Sequence, residues 1–238
     1  MKALIFDCDG VLADTERDAH RVAFNEAFEI AGIPDRWSVE LYGELVSVAG
    51  GKERMRSYFD GHGWPAGSSN RDEFIHELHH TKTDRYLQLI ASGKLPLRPG
   101  VARLVDEAIR ARVKLAVCST SNERSVSLLL QTLLGPARSD LFLVLAGDVV
   151  TRKKPDPEIY QLAVERLGIR PREAVVVEDS RNGLLAAKAA GLPCIITRSC
   201  YTQQEDFSEA DAAFDELGDP PNVQVRLSDL EAICGAAG

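Results

Sequence analysis

Five short apolar runs stand out along the chain, each closing on a polar residue or a glycine: Ala3–Phe6, Leu115–Cys118, Phe142–Ala146, Ala174–Val177 and Cys194–Thr197. Their apolarity is continuous rather than alternating, the pattern of strands buried on both faces. Segments of helical length separate them. Val101–Ala111 places apolar residues at 101, 104, 105, 108 and 109, and Ser125–Leu134, Ile159–Leu167 and Leu184–Ala190 also read as helices. Strand alternating with helix predicts a Rossmann-like, doubly wound parallel α/β sheet wrapped by crossover helices.

One stretch breaks the alternation. From Thr15 to about Ser92 no strand is visible, only helix-like segments at Arg17–Ala31, Lys52–Phe59 and Asp72–Ile90, with gaps at 33–38 and 61–70 rich in Gly, Pro or Ser. This predicts a helical cap domain, residues 15–94, inserted into an α/β domain formed by residues 1–14 and 95–238. The return linker is Ser92–Pro99, whose glycine and prolines mark a boundary. Ligands of open parallel sheets sit outside the carboxyl ends of the strands. An insertion leaving from such an end is expected to cover that site.

The strand ends carry the chemistry. Period-2 alternation puts Asp7 and Asp9 on one side of the chain with Cys8 opposite. The second strand runs into Ser119-Thr120-Ser121-Asn122 and the fourth into Glu178-Asp179-Ser180, while Lys153-Lys154-Pro155 follows the third. Carboxylates crowded at a buried edge repel one another. A divalent cation resolves that, and oxygen ligands of this kind suit Mg²⁺. Each feature also has a structural reading: Asp or Ser after a strand caps the next helix, and Thr120-x-x-Glu123 matches a capping box.

Composition narrows the partners. Lys and Arg number 28 against 36 Asp and Glu, a formal net charge of −8 that disfavours nucleic-acid phosphates and anionic membrane surfaces. A hydrophobic share of 45% is enough for a packed core. No apolar run approaches the roughly 20 residues of a membrane helix. The N-terminus meets Asp7 after four apolar residues, too soon for a secretory signal. The five cysteines are scattered without a C-x-x-C pair, against a disulfide framework or a zinc knuckle. The expectation is a cytoplasmic monomer acting on a small molecule.

A zinc reading competes. His76-Glu77-Leu78-His79-His80 is a literal H-E-x-x-H match, which places His76 and His80 on one helix face. A catalytic zinc needs a third protein ligand. No His or Glu lies between His80 and Glu107, so a partly polar helix is the expected outcome.

Taken together, the chain resembles the haloacid dehalogenase-like hydrolase superfamily over nearly its whole length. The motifs are Asp7-Cys8-Asp9-Gly10-Val11, an apolar strand closing in Ser119, Lys154-Pro155, and Val175-Val176-Val177-Glu178-Asp179-Ser180, with Gly183 and Ala189-Ala190-Gly191 beyond them. The resemblance implies that Asp7 is a nucleophile taking a phosphoryl group as an aspartyl-phosphate. Asp9 would protonate the leaving oxygen and then deprotonate the attacking water. Mg²⁺ would bind through the Asp7 carboxylate, the Asp9 main-chain carbonyl and Asp179, with Glu178 ordering its waters. Ser119 and Lys154 would hold phosphoryl oxygens; Lys153 is the rival, and the adjoining Pro155 selects Lys154. Asp at position 9 points to a phosphatase or phosphomutase rather than a dehalogenase or an ion-pumping ATPase.

Asp14-Thr15-Glu16 stands at the entrance of the insertion, and Gly50-Gly51-Lys52-Glu53-Arg54 opens a later element. A Gly-Gly-Lys turn at a helix start can present N–H groups and a cation to an anion. Lys52, with Arg54, is therefore a candidate contact for a second acidic group. Within the superfamily these segments look closer to the CbbY-like sugar-bisphosphate phosphatases than to β-phosphoglucomutases. Mutases usually carry His four positions after the Thr; here that place is Ala19, and His20 is one later, about 100° around an α-helix. The resemblance implies removal of the 1-phosphate of xylulose 1,5-bisphosphate. Glu16, Lys52, Ser119, Thr120, Asn122 and Lys154 are the expected substrate contacts. A mutase, a phosphoglycolate-type or broad-specificity phosphatase, and an inactive binding protein are the alternatives.

Overall fold

The computed structural model describes residues 1–48 and 50–236. The chain divides into two compact units, Met1–Asp14 with Pro96–Gly238, and Thr15–Leu95.

The first unit is built on six parallel strands: β1 (Ala3–Phe6), β2 (Lys114–Ser119), β3 (Phe142–Ala146), β4 (Ala174–Glu178), β5 (Cys194–Thr197) and β6 (Ala212–Phe214). Their order is β3-β2-β1-β4-β5-β6. Residues of β1 and β4 are buried without exception, which is why their sequences run apolar rather than alternating up to Glu178, the last residue of β4. The chain steps outward from β1 to β3, then returns to β4 and steps the other way. With right-handed crossovers this reversal winds helices onto both faces and leaves its switch point beside β1. Helices α5 (Val101–Arg110), α6 (Glu123–Leu134), α8 (Glu158–Leu167) and α9 (Arg181–Ala189) supply those layers, with a short α7 (Pro136–Ser139) and a closing α10 (Leu227–Ala236). Register sets the site: Phe6 lies opposite Val117 on one side and Val177 on the other. The polar residues just beyond those three positions therefore end side by side.

The second unit is helical: a π-helical turn at Glu16–His20, then α1 (Arg21–Ile30), α2 (Val39–Leu45), α3 (Gly51–His62) and α4 (Arg71–Ala91). Its core is aromatic. Phe24, Phe28, Trp37, Tyr42 and Phe59 are fully buried and pack ring against ring. Asn25 fastens the turn before α2 by donating to the Trp37 carbonyl at 2.9 Å and accepting from its N–H at 2.7 Å.

Four elements differ from the sequence expectation: α2, α7, β6 and α10 had no clear signature. The seven residues of α2, the four of α7 and the three of β6 are too short to establish a period. The π turn is a fifth difference. There the Arg21 N–H donates to the Glu16 carbonyl, five residues back. Such a turn takes up one extra residue, so the α-helical offset expected of His20 does not apply.

Candidate active site

Asp7 leaves β1 with its N–H donating to the Val177 carbonyl at 2.9 Å, which keeps it in line with the strand. Glu178 closes β4 and Asp179 comes directly after it. All three are buried, and one oxygen from each lies within 4.8 Å of the others. Lys154 reaches them from the segment between β3 and α8, donating to Asp7 Oδ1 and Glu178 Oε1 at 2.6 Å each and to the Cys118 carbonyl at 2.9 Å. Lys153 turns elsewhere, toward the Val150 carbonyl and Asp148.

Three carboxylates against one ammonium leave two negative charges unmatched, the charge of one divalent cation. Crowding of this kind favours the protonated form of a carboxyl. Burial pushes the Asp7 carboxyl up, with Lys154 opposing and Glu178 and Asp9 reinforcing; Asp179 is raised by burial, Asp7 and Glu178. Burial works against the Lys154 ammonium, yet Asp7 and Glu178 overcome it and hold its pKa above the ordinary lysine value. Buried oxygen donors that resist ionisation without a cation fit a hard divalent ion.

Two glycines make room for this cluster. Gly10 has φ +84°, and a Cβ there would fall 2.1 Å from Asp179 Oδ2; one on Gly183 would fall 1.9 Å from the Glu178 carboxyl carbon. Any side chain at either place would displace a carboxylate.

Glu178 is held on every side. Its Oε1 also accepts from the Tyr160 hydroxyl at 2.6 Å, and its Oε2 from the Asp179 N–H at 3.1 Å. The Tyr160 ring lies 5.0 Å below the Lys154 ammonium, a cation–π contact. Tyr160 escaped the sequence reading because on α8 it belongs to the apolar stripe of Ile159, Ala163 and Leu167. A phenol on an inward helix face, close to Lys154 in the chain, was the available signal.

Beyond β2, Ser119 is buried, and its Oγ accepts the Ser121 N–H at 3.0 Å. Ser121 then donates to Asp9 Oδ2 at 2.5 Å. Ser121 stood in the strand-end sequence without an assigned role, and the fold gives it Asp9. Thr120 is exposed. The capping box expected from it does not form: Asn122 is the N-cap of α6, accepting from the Arg124 N–H at 3.0 Å.

The helical unit gathers charge of the other sign. Glu16 Oε2 accepts from the Tyr42 hydroxyl at 2.5 Å, and Arg54 Nη1 donates to that same hydroxyl at 2.5 Å. Arg54, expected beside Lys52 as an anion contact, is buried, and its Nε donates to the Val48 carbonyl at 3.2 Å. It braces the loop into α3; Lys52, one residue into that helix, is exposed. Lys82 is buried on α4 with its ammonium 2.7 Å from His20 Nδ1, and the His20 ring stacks 4.0 Å from Tyr86.

The H-E-x-x-H segment makes no zinc site. His76, Glu77 and His80 are exposed, and His80 pairs with Asp84 at 3.4 Å one turn on. His79 is the ring that turns toward Gly51. Among the described residues, Asp7, Glu178 and Asp179 are the one acidic or histidine cluster close enough to hold a metal. No helix of these residues is long and apolar enough to cross a membrane.

The comparisons agree with this geometry. Residues 1–191 match a family model described as haloacid dehalogenase-like hydrolase. A "CBBY-like protein" of Arabidopsis thaliana is 54% identical over 98% of this chain and 73% of its own length. "Protein CbbY" of Cereibacter sphaeroides is 43% identical over 92% of this chain and 94% of its own. A crystal structure of mutant CbbY from Rhodobacter sphaeroides in complex with xylulose-(1,5)bisphosphate is similar at a TM-score of 0.80. It is 41% identical and covers 97% of this chain and 99% of that one.

Proposed function

The chain belongs to the haloacid dehalogenase-like hydrolase family, and from that premise we propose that this phosphatase removes the 1-phosphate of xylulose 1,5-bisphosphate, with Mg²⁺ bound, by way of an aspartyl-phosphate on Asp7. The observation that carries the reaction is the meeting of Asp7, Glu178 and Asp179 at the strand ends, with Lys154 bonded to the first two. The substrate rests on the likeness to CbbY.

A phosphoryl group carries charge that must be neutralised before an anionic nucleophile can approach. Asp7, Asp179 and the Asp9 carbonyl would hold a divalent cation, with Glu178 beside them, and that ion would supply part of the neutralising charge. Lys154 and Ser119 supply the rest by donating to phosphoryl oxygens. An Asp7 carboxylate oxygen attacks phosphorus as the bond to the sugar oxygen breaks, and Asp9 delivers a proton to that oxygen. Asp9 then takes a proton from water, whose oxygen attacks phosphorus, and Asp7 is released with inorganic phosphate. Ser121, bonded to Asp9, keeps that carboxylate close by for both transfers. Glu16, Lys52, Thr120 and Asn122 are proposed contacts for the sugar and its second phosphate.

Phosphate release across a panel of sugar mono- and bisphosphates tests this. Xylulose 1,5-bisphosphate is the expected preferred substrate, with chelation of Mg²⁺ abolishing turnover. Isomerisation of a sugar phosphate that depends on a bisphosphate primer, with little free phosphate, would overturn it in favour of a mutase.

A further inference from the structure

Of the three clustered carboxylates, Asp179 is the one that Lys154 does not bond: the ammonium donates to Asp7, Glu178 and the Cys118 carbonyl. Something else must hold it. One flank of Asp179 is Gly10, packed so closely that no side chain could stand there. Its other neighbour is the Ser199 hydroxyl, from the loop after β5. Ser199 is fixed in turn by Thr202, whose Oγ1 accepts the Ser199 N–H at 2.9 Å and lies 3.1 Å from its Oγ. Both hydroxyl residues are buried.

One guanidinium joins the two flanks. Arg98 Nη1 donates to the Gly10 carbonyl and, at 3.0 Å, to the Thr197 carbonyl; Nη2 donates to the carbonyls of Arg198 and Asp215 at 2.6 Å each. Its own N–H donates to the Leu12 carbonyl at 2.9 Å. Every acceptor is main chain, apart from a longer contact to the Thr197 hydroxyl at 3.3 Å. The guanidinium lies near enough to Asp179 to act on its carboxyl electrostatically, but its hydrogen bonds go to main-chain carbonyls, with a planar fork matched to several acceptors at once. It stitches the segment after β1, which carries Gly10, to the segment after β5, which carries Ser199.

We propose that Arg98 is a positioning residue that holds Asp179 in place for the divalent cation, acting through Gly10 on one side and Ser199 on the other. The proposal rests on the metal reading above. Residues that orient a ligand without touching the ion commonly change metal affinity by about 10–100-fold when altered.

The test is calorimetric titration of Mg²⁺ into the whole protein, beside thermal melts and steady-state kinetics. Both R98M and S199A should bind Mg²⁺ more weakly by about tenfold or more, with much of the lost rate returning at saturating Mg²⁺. R98K separates geometry from charge. A lysine keeps the charge but cannot span all these carbonyls, so its affinity should stay reduced; recovery to the wild-type value would overturn the positioning role. A folded R98M with unchanged affinity would also overturn it. If R98M does not fold, S199A decides: it leaves the guanidinium and its carbonyls intact, and unchanged affinity there would end the proposal. D179N separates the two levels, because wild-type Mg²⁺ binding in that variant would sink the metal reading itself.

Discussion

The α/β unit and the helical unit both bury charge, of opposite sign and by opposite means. In the first, Asp7 and the adjacent pair Glu178 and Asp179 crowd together, with Lys154 bonded to Asp7 and Glu178, from three segments far apart in sequence. In the second, Arg54 and Lys82 are buried on helices α3 and α4 and lie over rings: Arg54 is 5.1 Å from the Tyr42 centroid, and Lys82 is 4.7 Å from that of Phe24. Aromatic faces and carbonyls can solvate a cation inside a protein. Clustered carboxylates have no comparable apolar support and repel one another. The helical unit meets its buried cations with rings, carbonyls and the Glu16 carboxylate, 3.6 Å from Arg54, whereas the crowded carboxyls of the α/β unit have only Lys154 to offset them and form the donor set of a divalent-cation site.

Changing Asp7 breaks that contrast most severely. D7N removes the proposed nucleophile and one of the three crowded carboxyls. Turnover should fall by at least about ten-thousandfold, while the metal-free protein melts at the same temperature or higher. Residual activity near wild type would remove Asp7 from the mechanism; a large loss of stability would refute the claim that the acidic cluster is strained without its ion.

Next in size is Arg54. R54M keeps much of the stem's packing but strips Tyr42 of its donor and opens the loop before α3. The expected loss is about 2–3 kcal/mol of stability, since hydrogen bonds from a charged group are at stake. KM should rise more than kcat falls, because Arg54 braces the start of the helix that bears Lys52 and reaches no group proposed for the chemistry. An unchanged melting temperature would show that its bonds do not matter.

The two units were not equally legible. Buried parallel strands announce themselves as apolar runs, and the polar residues that close each run must lie at one edge of the sheet. Asp7, Ser119, Lys154, Glu178 and Asp179 could therefore be placed together from spacing and resemblance. The helical unit has no such edge. Arg54 read as an anion contact beside Lys52, and its burial, with its bonds to Tyr42 and the Val48 carbonyl, has no counterpart in the sequence pattern. Lys82 lies 62 residues from its partner His20, and no local pattern joins them. Tyr160 and Arg98 were missed for a related reason: each acts through a long side chain that crosses to another element, which periodicity does not encode.

A smaller effect sharpens the reading of the acidic site. Y160F removes one donor from Glu178 and leaves the ring beneath Lys154. Glu178 keeps its bond to Lys154, so the cost should be about 1–2 kcal/mol, with turnover reduced about tenfold. If Y160F matched wild type in both, the phenol would be filling space only.

The most gradual effect is in pH, and there the two units should move in opposite directions. Lys82, a donor only, faces His20 Nδ1, so that nitrogen must be unprotonated. Burial, then Lys82, Arg54 and His79, hold the His20 pKa well below its ordinary 6.5. Burial, then Lys82 and Lys52, with Glu53 opposing and His76 adding, bring His79 down to about 4. Both histidines therefore bind protons in the unfolded chain before they do in the folded one. Their contribution to stability is complete above pH 6.5 and is lost as pH falls toward 4. The slope is at most about 1.4 kcal/mol per pH unit for His20, and less for the part-exposed His79. Asp7 has the opposite sign. Its folded pKa is raised from 3.8 to about 8, so in metal-free protein its contribution is complete below 3.8 and lost as pH rises through about 8. Between pH 7 and 5, hydrogen exchange corrected for intrinsic rate should quicken in α1 and α4 and slow in β1 and β4. Lys82→Met should flatten the response of α1 and α4 and leave that of the strands alone. Parallel shifts in both units would mean that the two buried charge clusters do not govern stability separately.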